Sequence, residues 1–331
     1  MKAHAVVFTG PNAVEYQEVD CPEPTPDQVV IRLIHSWISN GTEGSYLRGE
    51  RTDGDTAYRP GDDWPFPIVA GYQRIGVVEW IGEAITDLEV GETVFSVLGS
   101  INRMFTARGG HVSPSVTGRD SVWKLPRGVE PLAFSGMVLT QVGYNCGIRP
   151  RISPGEGAVV IGDGMVGQWT AQTLSWRGAR VVMVGRHNDR LKQIAGRPDT
   201  HVVNGLERDP MDRIKEILPD GVQVLVDTVG SIPAINQYMP LMKRFGHIVS
   251  AGFYGTEDFL ALQLPRYKEL SIDLVSGWTP ERMDRTLSLI ADGTLDTLPL
   301  ITHHFPAEKA ADAWRLIEEK PEPVLGVILD W

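Results

Sequence analysis

The sequence predicts an α/β protein in two parts, a doubly wound parallel sheet preceded by an irregular β domain. Three observations carry that prediction. Through the middle of the chain, apolar runs of strand length alternate with helical patterns, as in parallel sheets covered on both faces. The turn after the first such run reads Gly162-Asp-Gly164-Met-Val-Gly167. The first 130 residues instead hold short strand-like runs separated by Pro- and Gly-rich turns. At 331 residues, two domains are the natural expectation.

The opening Met-Lys-Ala-His-Ala-Val-Val-Phe flows directly into a strand pattern, and further strands are predicted at Gln28–Ile34, Ile75–Trp80 and Glu92–Val97. Ala158–Ile161 is the first strand of the parallel sheet, and Gln168–Arg177 reads as the helix after it. Ala179–Val184 follows at the distance a βαβ unit requires. Strands are next predicted at Val222–Asp227, Gly246–Phe253 and Leu270–Gly277, with helices at Asp209–Leu218 and Ile232–Phe245 between them. The last 50 residues return to helix, strand, helix, strand, ending at Val324–Trp331.

Strand, glycine turn and helix together point to a dinucleotide. Gly162 permits the tight turn, Gly164 lets backbone N–H groups approach a pyrophosphate, and Gly167 lets helix pack on strand. The helix start at Met165 and Val166 adds its positive dipole end. At later strand ends Thr228, Gly252, Phe253 and Gly277 are expected to border the cofactor, with Gly230, Gly252 and Gly277 leaving room against backbone. The end of the second strand, where NAD sites usually carry Asp or Glu, reads Gly185-Arg186-His-Asn-Asp-Arg190. Loss of that carboxylate removes repulsion against a 2′-phosphate, and Arg186 and Arg190 can supply charge-assisted contacts. NADP(H) is therefore favoured, with NAD(H) the alternative; Arg186 stacked on adenine and Arg190 beginning a helix is the bland reading.

A formal net charge of −11 argues against a nucleic-acid surface. No apolar run approaches the roughly 20 residues that span a bilayer, and no signal-like segment opens the chain. Two cysteines, Cys21 and Cys146, lie far apart without metal-like spacing, so a reduced, cytoplasmic protein acting on a small molecule is expected.

Over its whole length the chain resembles the medium-chain dehydrogenase/reductase superfamily. The resemblance runs through Ile38-Ser-Asn-Gly-Thr-Glu43, Pro67-Ile-Val-Ala-Gly71, Val77–Gly82, Val90–Phe95, Gly109-Gly-His111, the glycine turn, Asp227-Thr-Val-Gly230 and Ile301–Phe305. It implies a GroES-like β catalytic domain built from both chain ends, residues 1–147 and 276–331, around a Rossmann domain at 148–275. It also implies Thr140 near the nicotinamide and a homodimer or homotetramer. Ala251-Gly-Phe-Tyr254 and Ile328-Leu-Asp-Trp331 suggest a zinc-free branch that contains bacteriochlorophyllide a dehydrogenase and sugar or polyol oxidoreductases.

The departures matter more. Where zinc members carry a Cys-Gly-Thr-Asp string and a Gly-His-Glu string, this chain has Ser39-Asn-Gly-Thr-Glu43 and Gly71-Tyr72-Gln73. Zinc needs about three anionic or imidazole donors, which neutral Ser, Tyr and Gln do not supply. Residues 98–125 lack the four cysteines of the structural-zinc lobe. No metal site is expected; Asp53, Asp55, Asp62 and Asp63 read as solvated loop charges.

Without a metal, hydrogen-bond donors must polarise the reacting oxygen. On the resemblance, Ser39, Tyr72 and Gln73 fill the vacated metal pocket. Tyr72 is the first candidate for general acid/base, its pKa lowered by a cation or the nicotinamide, with a pocket-lining aromatic as the alternative. Ser39 relays or orients the substrate oxygen, and Glu43 binds a hydroxyl, orients Tyr72 or caps a helix. His35 and His111 read as satisfied or surface histidines. The predicted activity is hydride transfer between NAD(P)(H) and a secondary alcohol or ketone, sugars and polyols being among the expected substrates. A quinone or enoyl reductase, and a non-catalytic NADP(H)-binding or redox-sensing protein, are the alternatives.

Overall fold

The computed structural model describes residues 1–53, 56–104, 109–254 and 259–331. Asp55, and residues 105–108 of the stretch 98–125, lie outside the described residues. The chain forms two compact units, Met1–Val138 with Thr297–Trp331, and Leu139–Asp296. Both junctions differ from the expected 147/148 and 275/276, for a packing reason. A Cβ on Gly143 would lie 2.5 Å from that of Trp169, and one on Gly147 2.5 Å from that of Thr173. The helix Met137–Ile148 therefore lies directly on the helix Met165–Trp176. After the helix Pro280–Ala291, Asp296 is fixed to that same helix: its carbonyl accepts from Trp169 Nε1 and Gln172 Nε2, and its N–H donates to Gln172 Oε1 at 2.8 Å.

The second unit holds a six-stranded parallel sheet among its described residues. Its order is Thr200–Asn204, Arg180–Gly185, Gly157–Ile161, Val222–Asp227, Met242–Ser250, Ser271–Leu274. Alternate residues feed two separate cores. Val159, Ile161, Val182 and Leu225 pack in one; Ala158, Val160, Val181 and Val224 pack in the other. This is why the central strands read as unbroken apolar runs. The short edge strand Thr200–Asn204, partly polar, carries no such signal. The predicted helix Ile232–Phe245 is wrong at its end: it stops at Tyr238, Pro240 sits in the turn that follows, and Met242 begins a strand.

In the first unit, the strand Gly326–Asp330 pairs antiparallel with Gln28–Trp37, so the C-terminus completes a sheet begun by the N-terminal half. The helix Ala310–Glu319 sets Trp314 edge-on to Phe8 at 5.2 Å. A fully buried Arg74 ties residues 96–98, 109 and 117 together. Its guanidinium donates to Leu98 O, Gly109 O, Ser96 Oγ and Thr117 Oγ1. Among the described residues no helix is long and apolar enough to cross a membrane.

Candidate functional site

The pocket in the first unit is a chain of side chains. Gln28–Trp37 delivers Ser36, the following helix start delivers Ser39 and Glu43, the turn after Val69 delivers Tyr72, and His111 comes from a glycine pair. Tyr72 Oη donates to Ser39 Oγ at 2.6 Å. Glu43 Oε1 accepts from the Ser39 N–H at 2.8 Å, and its Oε2 lies 2.7 Å from His111 Nε2. His111 Nδ1 lies 2.8 Å from Ser36 Oγ, which also accepts from the terminal Trp331 Nε1 at 2.8 Å. A carboxylate can only accept, so Nε2 of His111 donates to Glu43, and in a neutral ring Nδ1 is left to accept from Ser36. Every member of this buried run is thereby satisfied.

Gly71 shows how tightly the pocket is built. Its φ is +85°, and a Cβ there would stand 2.7 Å from the His111 ring. Only glycine lets the imidazole pass beneath the turn that carries Tyr72.

Ser39 thus meets Tyr72, while Glu43 reaches Ser39 and His111. Glu43 does cap the helix start, but its second oxygen serves His111. Gln73 goes elsewhere: it is fully buried and donates to the Trp37 carbonyl at 3.2 Å, bracing a strand. The sign of the Tyr72 shift is also reversed. Burial, and to a lesser degree the Glu43 carboxylate, push the phenol well above its ordinary range, outweighing the Ser39 hydrogen bond. Tyr72 accordingly keeps its proton at neutral pH and donates it in a hydrogen bond to Ser39. His111 is satisfied, as expected of a histidine, yet it sits at the centre of the pocket; its only sequence signal was the preceding Gly109-Gly110.

The zinc question can be put to these donors. His111 Nε2 and Glu43 are the two strong ligands present, one short of the roughly three that zinc needs. The remaining groups, Ser39, Tyr72 and Gln73, are neutral. This donor set does not fit a tetrahedral zinc site.

In the second unit, Gly164 stands at the N-terminus of Met165–Trp176, and no side chain caps that helix start. Open space surrounds the Cβ direction of Gly164. A Cβ on Gly167 would fall 2.1 Å from the Gly162 carbonyl, so helix and turn touch there. Thr228 turns its hydroxyl back to the Ile161 carbonyl at 2.8 Å. Gly277 is open, but Gly252 is not the vacancy predicted: the space for its Cβ is filled by the Gly230 backbone, 2.0 Å away, and Phe253 backbone fills that of Gly230. These two glycines join strand ends. Thr140 is fully buried in its helix. Cys146 is buried, and burial pushes its thiol up to about 12, an inert packing residue.

The carboxylate missing from the second strand end has a substitute. A Cβ on Gly185 would lie 2.5 Å from Asp163 Oδ2, so the carboxylate from inside the glycine turn occupies the place of a residue-185 side chain. That oxygen accepts from the N–H groups of Arg186 at 2.7 Å and His187 at 2.8 Å, and both oxygens face His187 Nδ1. Arg190 Nη1 reaches Asp163 at 3.4 Å, and its Nε is buried without a hydrogen-bond partner. Arg186 is exposed and its side chain makes no hydrogen bond or ion pair among the described residues.

Residues 166–292 match a family described as zinc-binding dehydrogenase. A 2-desacetyl-2-hydroxyethyl bacteriochlorophyllide A dehydrogenase from Cereibacter sphaeroides is 27% identical, over 100% of this chain and 99% of its own. A Sinorhizobium meliloti structure, assigned as a zinc-binding dehydrogenase and bound to NADP, superposes with a TM-score of 0.82 at 19% identity, covering 100% of both chains. An Escherichia coli alcohol dehydrogenase complexed with NADH gives 0.84 at 20% identity, covering 100% of this chain and 99% of that one. The two structures establish a shared fold.

Proposed function

Because the chain belongs to the medium-chain dehydrogenase/reductase superfamily, we propose that it is a zinc-independent oxidoreductase transferring hydride between NADP(H) and a secondary alcohol or its ketone. One observation carries the reading: a half-buried phenol that is held on a serine hydroxyl at 2.6 Å, where its burial keeps it protonated. In the reducing direction Tyr72 would give its proton to the substrate carbonyl oxygen, and the reduced nicotinamide, when bound, would supply the hydride to the carbonyl carbon. Ser39 then turns its hydroxyl toward the phenolate, and solvent returns the proton. Oxidation runs the same steps in reverse. Glu43 and His111 touch neither substrate nor cofactor in this scheme; they hold Ser39.

Arg186 supports NADP(H): it is the exposed cation at the second strand end, while Asp163 is spent on backbone amides and His187. NAD(H) is the alternative that a carboxylate this close to the ribose site keeps open. Among substrates, the polar groups of the pocket suit an alcohol, sugar or polyol better than the apolar enone of a quinone reductase. Self-association belongs to the same reading, since Phe259, Leu262, Tyr267 and Leu274 are 83, 67, 79 and 76% exposed around the edge strand Ser271–Leu274; light scattering after size exclusion should give a dimer or tetramer.

The test is a panel of secondary alcohols, polyols, ketones and enones with NADP(H) and NAD(H), followed at 340 nm before and after chelation. Turnover of an alcohol or ketone that survives chelation is expected. Activity abolished by chelation and restored by Zn²⁺ would sink the zinc-free mechanism. Turnover of enones alone would favour the reductase, and tight NADP(H) binding without any turnover the non-catalytic alternative.

A further inference from the structure

Away from the Tyr72 pocket, three neighbouring strands of the first unit bring two histidines to one carboxylate. His35 lies on Gln28–Trp37, Asp330 on Gly326–Asp330 and His304 on Ile301–Pro306, strands adjacent in that order. Asp330 is the cross-strand partner of His35, so their side chains share a face. His35 Nδ1 stands 2.6 Å from Asp330 Oδ1, and His304 Nδ1 stands 3.2 and 3.1 Å from the two carboxylate oxygens. The three donor atoms lie within 4.8 Å of one another, the two rings nearly perpendicular at 83°. Among the described residues this is the one group of three such side chains that could hold a metal ion.

We propose that His35, His304 and Asp330 form a binding site for a divalent transition-metal ion, Zn²⁺ or a relative such as Co²⁺ or Ni²⁺. Two imidazole nitrogens and a carboxylate oxygen are the donor set of an open zinc site, with water completing the tetrahedron. Sheet pairing fixes all three backbones, so little ordering remains to be done on binding. Partial exposure, 24% at His35, 39% at Asp330 and 43% at His304, leaves a path for the ion and room for its water. The ion replaces the two imidazole protons now facing Asp330; with neutral rings each proton moves to Nε2, and none need be released. An ion here would clamp the C-terminal strand to its neighbours. Metal in the purified protein would therefore not by itself identify a metal-dependent catalyst.

The experiment is calorimetric titration of the chelator-stripped protein with Zn²⁺, with melting followed in parallel. One equivalent should bind and raise the melting temperature. Affinity should fall more than about tenfold in both His304→Ala and His35→Ala, and Tyr72→Phe should bind as the parent does. His304→Gln replaces the alanine variant if circular dichroism shows that the latter is perturbed. No saturable binding by the parent, or binding undiminished in both histidine variants, overturns the site. Binding lost in Tyr72→Phe instead would place the ion in the buried pocket, overturning this inference together with the zinc-free mechanism.

Discussion

In the second unit the glycine turn is shaped mainly by backbone, a helix start and the ends of parallel strands, with the Asp163 carboxylate holding the amides of residues 186 and 187. In the first unit they are side chains that hold one another: Trp331 on Ser36, Ser36 on His111, His111 on Glu43, Glu43 on the Ser39 amide. The cradle draws its geometry from the fold and tolerates change at single side chains. The pocket is a network whose members are worth more together than apart, so single losses should spread. Substitutions in the two regions should accordingly differ in kind as well as in size.

The sharpest test of the pocket is Tyr72→Phe, which should lower turnover by roughly 10²-fold or more while leaving the dissociation constant of NADP(H) unchanged. Because the phenol is pushed upward, its proton is retained through neutral pH and lost only as pH climbs past that raised value. Ketone reduction by the parent should show no loss of this donor through the neutral range, and alcohol oxidation should quicken as pH rises. A rate within twofold of the parent would return Tyr72 to the lining role.

The same contrast decides what could be read beforehand. Gly162, Gly164 and Gly167 lie within six consecutive residues between a strand and a helix, so local spacing alone revealed the cradle. Ser39, Tyr72 and His111 are joined by tertiary pairing, and nothing in residues 36–43 announces that a histidine from 111 will fill the space over Gly71. Gln73 differs from its neighbour because, in the turn before the strand Arg74–Ile81, its amide goes to the Trp37 carbonyl while the Tyr72 hydroxyl goes to Ser39. Asp163 was passed over because the glycine pattern treats its position as free, and only the missing Cβ of Gly185 gives the carboxylate room. The zinc-like cluster of His35, His304 and Asp330 joins residues 295 apart along the chain, beyond any spacing rule.

In the cradle, Arg186→Ala should weaken NADP(H) by about 10–100-fold, the loss of one or two charge-assisted hydrogen bonds to a phosphate, and leave NAD(H) within a factor of two. Fluorescence titration with each cofactor measures the split. Equal weakening of both would show Arg186 stacking on adenine instead. In the pocket, His111→Ala leaves Glu43 and Ser36 buried without their partner, at about 1–3 kcal/mol, to which the vacated ring space adds. The melting temperature should drop several degrees, with turnover falling as Ser39 loses its anchor. If stability falls and turnover per folded molecule does not, the network is scaffolding alone.

The smallest effect separates the regions most cleanly. Burial alone would raise the Asp163 pKa, but the amides of Arg186 and His187 and the His187 ring outweigh it and hold the carboxyl below its ordinary value of 3.8. A depressed carboxylate contributes stability that is fully present above 3.8 and is lost as pH falls through the lower, folded value. Asp163→Asn can keep its one oxygen on both amides but presents an NH₂ to Arg190 and the His187 ring, so about 1 kcal/mol should be lost near pH 7. Urea midpoints of parent and variant should differ by a constant amount at neutral pH and converge below about pH 3.8, the unfolded value. Arg190, released from its carboxylate, should then bind the 2′-phosphate as firmly as before or more so. A variant that lost NADP(H) along with stability would mean that Asp163 aims Arg186 through the backbone, and the cradle would then behave like the pocket, as a coupled network.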